Sequence, residues 1–164
     1  MNLYLIRHAE AIERTREVPD AQRHLTPKGR LFFRKTAKQW IKKGALPDGI
    51  VSSPLVRAVQ TAEILAEEIG FRGPLIVTDK LAPGFGRAGL KAILSKCAGA
   101  KEVALVGHEP DLGDLVASLL SLPSPRPLKK GEIVALQLPR KDALSPAAFL
   151  WSARGKRFVT EERK

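Results

Sequence analysis

Short apolar runs alternate with longer segments of helical character along this chain. The runs at residues 3–6, 49–52, 75–77 and 103–106 are rich in Ile, Val and Leu. Such runs are typical of strands that are covered on both faces, as in parallel sheets. A fifth run, at residues 133–138, alternates less cleanly. We therefore predict five strands.

Between the strands, the spacing of apolar positions predicts helices at residues 27–43, 54–69, 89–98 and 110–120. The first two have the clearest boundary signals, a hydroxyl residue before a proline at the start and a glycine at the end: Thr26, Ser53, Gly44 and Gly70. Strands that alternate with helices predict a single-domain, three-layer α/β/α fold with a mainly parallel sheet.

The length of 164 residues corresponds to about one domain. We place that domain at residues 1–155 and expect a basic, partly disordered C-terminal tail at residues 156–164.

No apolar stretch approaches the length of a transmembrane helix or a signal peptide core. The single cysteine excludes an intramolecular disulfide and fits a reducing compartment. We expect a cytoplasmic protein, a monomer, with no membrane partner.

Charge is the unusual feature of the composition. The chain has 28 Lys and Arg against 17 Asp and Glu, a formal net charge of +11. This excess favours an anionic partner and leaves nucleic acid, anionic membrane and phosphate-bearing substrates open. Basic residues without an intervening acid are concentrated after Asp20, at Lys28, Arg30, Arg34, Lys35, Lys38, Lys42 and Lys43. This stretch is either a solvated helix face or a docking surface.

Polar residues of one chemical kind follow three of the predicted strands. Arg7 and His8 come directly after the first strand, Arg57 lies one turn into the helix after the second, and His108 follows the fourth. In an open parallel sheet, ligands bind outside the carboxyl ends of the strands. Guanidinium groups match phosphate oxygens, and a helix N-terminus adds free N–H groups. A single histidine near a strand end is usually structural and a single arginine on a helix is usually solvated, but the ordered combination of these residues predicts a phosphate site.

The same segments resemble a known family. LIRHAEA (5–11), SSPLVRAVQTAEIL (52–65) and LVGHEP (105–110) are similar to the motifs of the histidine phosphatase superfamily, which has the phosphoglycerate mutase-like fold and includes the short SixA-type phosphohistidine phosphatases. RHLTPKG (23–29) and LKKGEIVALQL (128–138) extend the resemblance over nearly the whole chain.

The resemblance implies that His8 is a transiently phosphorylated nucleophile and that Arg7, Arg57 and His108 bind the phosphoryl group. The chemistry is consistent with these roles. A nucleophilic imidazole must be neutral, and nearby Arg charges lower its pKa. The same charges stabilise a transferring phosphoryl group, so we expect no cofactor and no metal.

One departure from the family concerns the substrate. Larger members supply a general-acid carboxylate after a middle strand, but residues 80–90 (KLAPGFGRAGL) contain no Asp or Glu. An imidazole leaving group needs protonation less than an alkoxide does, which favours phosphohistidine on a protein as the substrate. If Glu10, Asp79 or Glu109 supplies the acid instead, a broad-specificity phosphomonoesterase for sugar phosphates or phosphoproteins remains the alternative.

Further residues and classes of function complete the prediction. Glu10 and Arg23 are additional candidates for substrate binding, whereas His24 is expected at the surface.

Aromatic residues are only 5% of the chain, which disfavours a nucleic-acid-binding module. A phosphohistidine-binding module without catalysis is disfavoured because both histidines and both arginines of the motifs are present. The short connection before the third helix predicts an open pocket that suits a phosphorylated side chain.

Overall fold

The computed structural model describes residues 1–42, 46–97, 99–139 and 146–161. One sheet contains seven strands, which are β1 (Asn2–Arg7), β2 (Gly49–Ser52), β3 (Leu75–Val77), β4 (Glu102–Gly107), β5 (Ile133–Gln137), β6 (Ala148–Arg154) and β7 (Arg157–Val159). Their order is β3-β2-β4-β1-β5-β6-β7. The first four of these in sheet order are parallel, and β5, β6 and β7 are added by antiparallel pairing.

The principal helices are α1 (Pro27–Ile41), α2 (Val56–Ile69), α3 (Arg87–Lys96) and α4 (Asp111–Leu120). Residues of α1 and α2 share one core cluster with one face of the sheet, and residues of α3 and α4 share the other cluster with the opposite face. The predicted three-layer α/β/α fold is therefore confirmed. The sheet is mixed, and its parallel part is the first four strands in sheet order.

The central strand β1 shows why the strands appear as continuous apolar runs. Tyr4 and Ile6 belong to the core cluster on the α1–α2 face, whereas Leu3 and Leu5 belong to the cluster on the α3–α4 face. Successive side chains of a strand point to opposite faces, and here both faces are covered by helices. All four positions must therefore be apolar, and all four are buried.

The start of α1 is as predicted. The Thr26 hydroxyl oxygen accepts from the Gly29 N–H at 2.9 Å, and Pro27 occupies the first turn. The predicted end at Lys43 and Gly44 lies outside the described residues, as does Ala98, the predicted last residue of the third helix.

Helix α2 begins at Val56, two residues later than predicted. The reason is that Ser53 still belongs to the strand ladder, because its N–H donates to the Val106 carbonyl at 3.0 Å. The Ser53 hydroxyl accepts from the Leu55 N–H at 3.3 Å and so makes a local turn rather than the helix cap. Gly70 ends α2 as predicted, in the left-handed conformation with φ 66°.

The C-terminal end of the sheet was not predicted. Strand β6 and the short edge strand β7 form a hairpin with Gly155 at φ 62° in its turn. Residues 157–159, which we expected in a partly disordered tail, are held in β7 by pairing to β6 and by stacking of Phe158 on Trp151 at 5.4 Å. Mixed polar and apolar positions concealed this hairpin in the sequence.

Among the helices of the described residues, none has the length and apolar character needed to span a membrane.

Candidate active site

The carboxyl ends of β1, β2 and β4 meet at one edge of the sheet. The register that pairs Arg7 with Gly107 brings the next residues, His8 and His108, side by side, with ring centroids 5.2 Å apart. The His8 N–H donates to the Gly107 carbonyl at 3.2 Å, which continues the ladder by one bond. The two histidines are 100 positions apart in the chain, so only the parallel pairing of β1 with β4 makes them neighbours.

Hydrogen bonding fixes the tautomer of His8. Its Nδ1 lies 2.7 Å from the Ala9 carbonyl oxygen, which can only accept, so Nδ1 carries the proton. Nε2 is then unprotonated and accepts from the Nε–H of Arg57 at 3.2 Å. Burial, more than the nearby charges of His108, Arg57 and Arg7, lowers the pKa of His8 to about 3. His8 therefore presents a neutral nitrogen lone pair at neutral pH.

Arg57 lies in the first turn of α2 and is itself buried. Its Nη1 donates to the Asp20 carbonyl at 2.7 Å and its Nη2 to Asp20 Oδ2 at 3.2 Å. Thr61, one turn further on, accepts from the Ala9 N–H at 3.1 Å and donates to the Arg57 carbonyl at 2.7 Å. These bonds join α2 to the loop after β1 and set the direction of the guanidinium.

Asp20 is a site residue that the sequence did not reveal. It begins a short 3₁₀ turn, Asp20–Gln22, and besides Arg57 it pairs with Arg23 at 2.9 Å. The hydrogen bond from Arg23 and the charge of Arg57 lower the pKa of Asp20 against the opposing effect of burial. No spacing pattern links positions 20 and 57, so the only sequence signal was an acid and an arginine three residues apart.

His108 is buried and pairs with a residue predicted for another role. Its Nε2 lies 2.7 Å from the hydroxyl oxygen of Ser53, so the residue predicted as a helix cap instead orients this ring. Burial and then the charge of Arg57 lower the pKa of His108 to about 4. Its Nδ1 is buried and has no hydrogen-bond partner among the described residues.

Arg7 completes the cationic part of the site. Its Nη1 donates to the Leu128 carbonyl at 2.7 Å, and its Nε is buried without a hydrogen-bond partner in the described part of the chain. Burial lowers the pKa of Arg7, while the carboxylates of Glu109 and Glu132 oppose that shift. Burial in turn raises the pKa of Glu109, whose Oε1 also has no partner among the described residues.

The remaining candidates take other positions. The Glu10 carboxylate accepts from the Thr26 hydroxyl at 3.1 Å, a contact that ties the loop after β1 to α1. Arg23 reaches the site only through Asp20, and its Nε donates to the Ile12 carbonyl at 2.8 Å. His24 is exposed. Asp79 is exposed in a 3₁₀ turn after β3, at the edge of the sheet remote from β1.

The site therefore contains two neutral histidines, His8 and His108, and two guanidinium groups, those of Arg7 and Arg57, at one end of the sheet. Such a set can offer a nucleophile and bind a phosphoryl group. In the ranges that the structure describes, no three His, Cys, Asp or Glu side chains converge as metal ligands.

Comparison with known families agrees with this geometry. The model of the histidine phosphatase superfamily (branch 1) matches residues 3–89, which is more than half of the chain. The chain belongs to the histidine phosphatase superfamily. Among individual proteins, an uncharacterized protein of Picosynechococcus sp. is 39% identical over 117 residues, which is 70% of each of the two proteins.

Solved structures match the whole fold. The protein histidine phosphatase SixA, solved with tungstate, superposes with a TM-score of 0.83 at 24% identity over 94% of this chain and 97% of SixA. The alpha-ribazole phosphatase from Shigella flexneri superposes with a TM-score of 0.65 at 16% identity over 98% of this chain and 96% of that protein. This chain therefore has the fold of SixA-type members of the superfamily.

Proposed function

We propose that this protein is a phosphohistidine phosphatase that hydrolyses phosphohistidine on another protein through a phosphorylated His8. The observation that carries the proposal is the state of the His8 ring. Its proton is held on Nδ1 by the Ala9 carbonyl, and its unprotonated Nε2 faces the Arg57 guanidinium 3.2 Å away. That arrangement is a nucleophile with a cation beside the position where phosphoryl charge would lie.

The phosphoryl oxygens would be bound by Arg7, Arg57 and His108. Arg7 Nε and His108 Nδ1 are buried without partners among the described residues, and a buried donor is costly unless a ligand satisfies it. If the Ser53 hydroxyl donates to His108 Nε2, the proton of His108 is on Nδ1 and can be given to a phosphoryl oxygen.

Two displacements complete the reaction. In the first, the lone pair of His8 Nε2 forms a bond to phosphorus as the phosphorus–nitrogen bond of the substrate breaks, and the departing imidazole takes a proton from water, which leaves hydroxide. In the second, water attacks the phosphorus of phosphorylated His8 as the bond to Nε2 breaks and its electron pair returns to the ring. One proton of the attacking water neutralises the hydroxide, and the other leaves with inorganic phosphate. One like bond replaces another in the first step, so that step is nearly balanced in energy.

Asp20 and residues 80–90 support this substrate class. Asp20, which contacts Arg57, has a lowered pKa and is ionised at neutral pH, so it has no proton to donate to a leaving group. Residues 80–90 supply no acid either. An alkoxide leaving group requires such a proton far more than an imidazole does. The fold shared with the protein histidine phosphatase SixA supports the same class of substrate.

One observation favours a second candidate, a broad-specificity phosphomonoesterase. Glu109 lies close enough to Arg7 to affect its pKa, and burial raises the pKa of Glu109 itself. A carboxyl group with a raised pKa near a phosphoryl-binding arginine is a candidate proton donor to an alkoxide. The two candidates differ in the substrates that they predict.

The proposal is tested by comparing a protein phosphorylated on histidine with aryl and sugar phosphates. We expect efficient release of phosphate from phosphohistidine, slow turnover of the esters, and an acid-labile phosphoprotein intermediate. Comparable turnover of sugar phosphates would establish the phosphomonoesterase instead.

The nucleophile is tested with His8→Ala. This change should lower kcat by at least about a thousandfold and remove the labelled intermediate, because it removes the Nε2 that attacks phosphorus. His24→Ala is the matched control, since this histidine is exposed and, among the described residues, no hydrogen bond joins its ring to the site. This variant should retain the wild-type rate. Activity that survives in His8→Ala would show that another residue is the nucleophile.

A further inference from the structure

A cleft of about 450 Å³ lies beside the site, between the β6–β7 hairpin, residues 126–132 and Phe32 of α1. The strand register places it at the active-site end of the sheet, because Ile6 pairs with Ile133 and Ile133 pairs with Ala153. The end of β6 is thus level with the end of β1, two strands away. A partner whose phosphorylated side chain enters the site would meet this cleft.

One segment forms a wall of both the site and the cleft. The Leu128 carbonyl accepts from Arg7, and the Gly131 N–H lies 3.2 Å from the Arg7 carbonyl and 3.1 Å from the His8 carbonyl. Lys129, between Leu128 and Gly131, lines the cleft, and so does Glu132, the residue after Gly131. The segment that lines the cleft is therefore also hydrogen-bonded to Arg7, the proposed phosphoryl-binding arginine.

The lining of the cleft is strongly cationic. Five of the thirteen lining residues are Lys or Arg and two are Glu. One of these acids, Glu132, is already used, since it accepts from Arg126 Nη2 at 3.2 Å and from the Lys129 N–H at 2.9 Å. Within the described ranges, no ion pair neutralises Lys129, Lys156 or Arg157, and all three are exposed.

The basic stretch on α1 has a different arrangement. Arg34 pairs with Glu67 at 2.7 Å and with Glu68, and Lys38 lies 3.7 Å from Glu68. Part of the excess charge in α1 is therefore neutralised by α2. The cations of the cleft, by contrast, lie by strand register at the active-site end of the sheet.

We propose that this cleft docks an acidic segment of the phosphohistidine-bearing protein. The inference rests on the proposed function and adds the chemistry of the partner. A nucleic acid fits less well, because the aromatic ring in the described lining, Phe32, is already covered by the Arg154 guanidinium at 4.7 Å and is not free to stack on a base. Attraction between the cleft and acidic side chains would raise the rate of association and would be screened by salt.

The test uses two phosphohistidine peptides, one flanked by glutamates and one flanked by serines. We expect kcat/KM for the Glu-flanked peptide to exceed that for the Ser-flanked peptide by about tenfold at low salt. In about 0.5 M NaCl the difference should largely disappear. The double variant Lys156→Glu/Arg157→Glu should lose the preference while it hydrolyses free phosphohistidine at the wild-type rate.

The matched control is Lys91→Glu/Lys96→Glu, which makes the same change of charge at exposed positions of α3, on the opposite face of the sheet. This control should keep the preference. A preference that persists in Lys156→Glu/Arg157→Glu would place the effect elsewhere on the protein, and one that the control also loses would place it in overall charge. Either result overturns the docking site.

Binding of the unphosphorylated peptides to the wild-type protein, measured by fluorescence anisotropy, separates docking from catalysis. Tighter binding of the Glu-flanked peptide supports the cleft even if no phosphohistidine is hydrolysed, in which case only the proposed function fails. Equal binding of the two peptides overturns the docking site. Tighter binding of a single-stranded oligonucleotide than of the Glu-flanked peptide, lost in Lys156→Glu/Arg157→Glu, would also overturn it and identify a nucleic-acid surface.

Discussion

At the scale of single residues, burial decides the protonation state of the site. His8 and His108 are both buried, and desolvation is the largest cause of the low pKa of each ring. The arginine charges act in the same direction but are secondary. A histidine that is neutral because it is buried remains neutral over a broad pH range, which suits a nucleophile that must not be protonated before it attacks.

The buried neutral histidines predict how stability depends on pH. The unfolded chain binds protons at both rings below about pH 6.5, whereas the folded chain does not until about pH 4 for His108 and about pH 3 for His8. Their contribution to the free energy of unfolding is therefore complete above pH 6.5 and decreases as the pH falls below that value. Between about pH 7 and about pH 5, each ring should account for a loss of about 2 kcal/mol.

Urea unfolding of wild type and His8→Asn at these two pH values checks this expectation. Contributions from carboxylates are shared by the two proteins, so they cancel in the comparison. The variant should lose less stability on acidification, by about 2 kcal/mol. An identical loss in both proteins would mean that His8 titrates normally in the folded state.

The contacts between Asp20 and Arg57 lead to a second prediction at the residue scale, because Asp20 orients the Arg57 guanidinium. Both Nη atoms of Arg57 are held by Asp20, and this leaves Nε directed at His8. Asp20→Asn removes the charge from one of these contacts, so kcat should fall by about tenfold, the effect of losing one hydrogen bond between charged groups. Steady-state kinetics on phosphohistidine would measure the fall, and thermal unfolding should show little change.

Asp79→Asn is the control for that measurement, because Asp79 is exposed at the far edge of the sheet and should leave kcat unchanged. An unchanged kcat in Asp20→Asn would show that the Asp20 backbone carbonyl alone is sufficient to position Arg57.

At the scale of elements, α1 is packed closely against the loop that carries His8. The Thr26 N–H donates to the Glu10 carbonyl at 3.0 Å, and Gly29 lies so close to the same carbonyl that a Cβ there would overlap its oxygen. The glycine in RHLTPKG is thus required by close approach and not by an unusual backbone angle. This contact fixes the first turn of α1 beside the end of β1.

Gly29→Ala should therefore destabilise the protein by about 1–3 kcal/mol, the usual cost of overpacking, despite the better helix propensity of alanine. Gly49→Ala is the control, because a Cβ at that position meets nothing within 4 Å and should change stability by less than about 0.5 kcal/mol. Denaturant unfolding of both variants measures the difference. Equal stability of the two variants would mean that the loop after β1 moves away from the added Cβ without a loss of stability.

The strands and helices that could be predicted are those with a local signal in the sequence. Strands β1, β2, β3 and β4 were visible because each occurs as a separate short apolar run, and α1 was visible through Thr26 and Pro27. The run at residues 75–77 nevertheless forms an edge strand that is not covered on both faces, since Ile76 and Val77 are exposed. Strand β6 was not, because its burial is uneven and its exposed positions break the run. The start of α2 was misplaced because Ser53 has a partner in another strand, which no local signal records.

At the scale of the whole molecule, the excess positive charge falls into several parts. Two of the charges, Arg7 and Arg57, belong to the site. Others on α1 are paired with acids of α2, such as Arg34 with Glu67. A further group lines the cleft beside β6 and β7. The net charge of +11 alone does not distinguish these uses, since they differ only in which neighbour each charge has.

The order of apolar runs and the polar residues that follow them predicted the layered α/β fold and the grouping of Arg7, His8, Arg57 and His108, because the carboxyl ends of parallel strands converge. The protonation of His8, the contacts of Ser53 and Asp20, and the position of the cleft became visible in the folded structure alone. Each of these depends on burial or on contacts between residues far apart in the chain. Local pattern carries no information about such contacts until the sheet register brings the residues together.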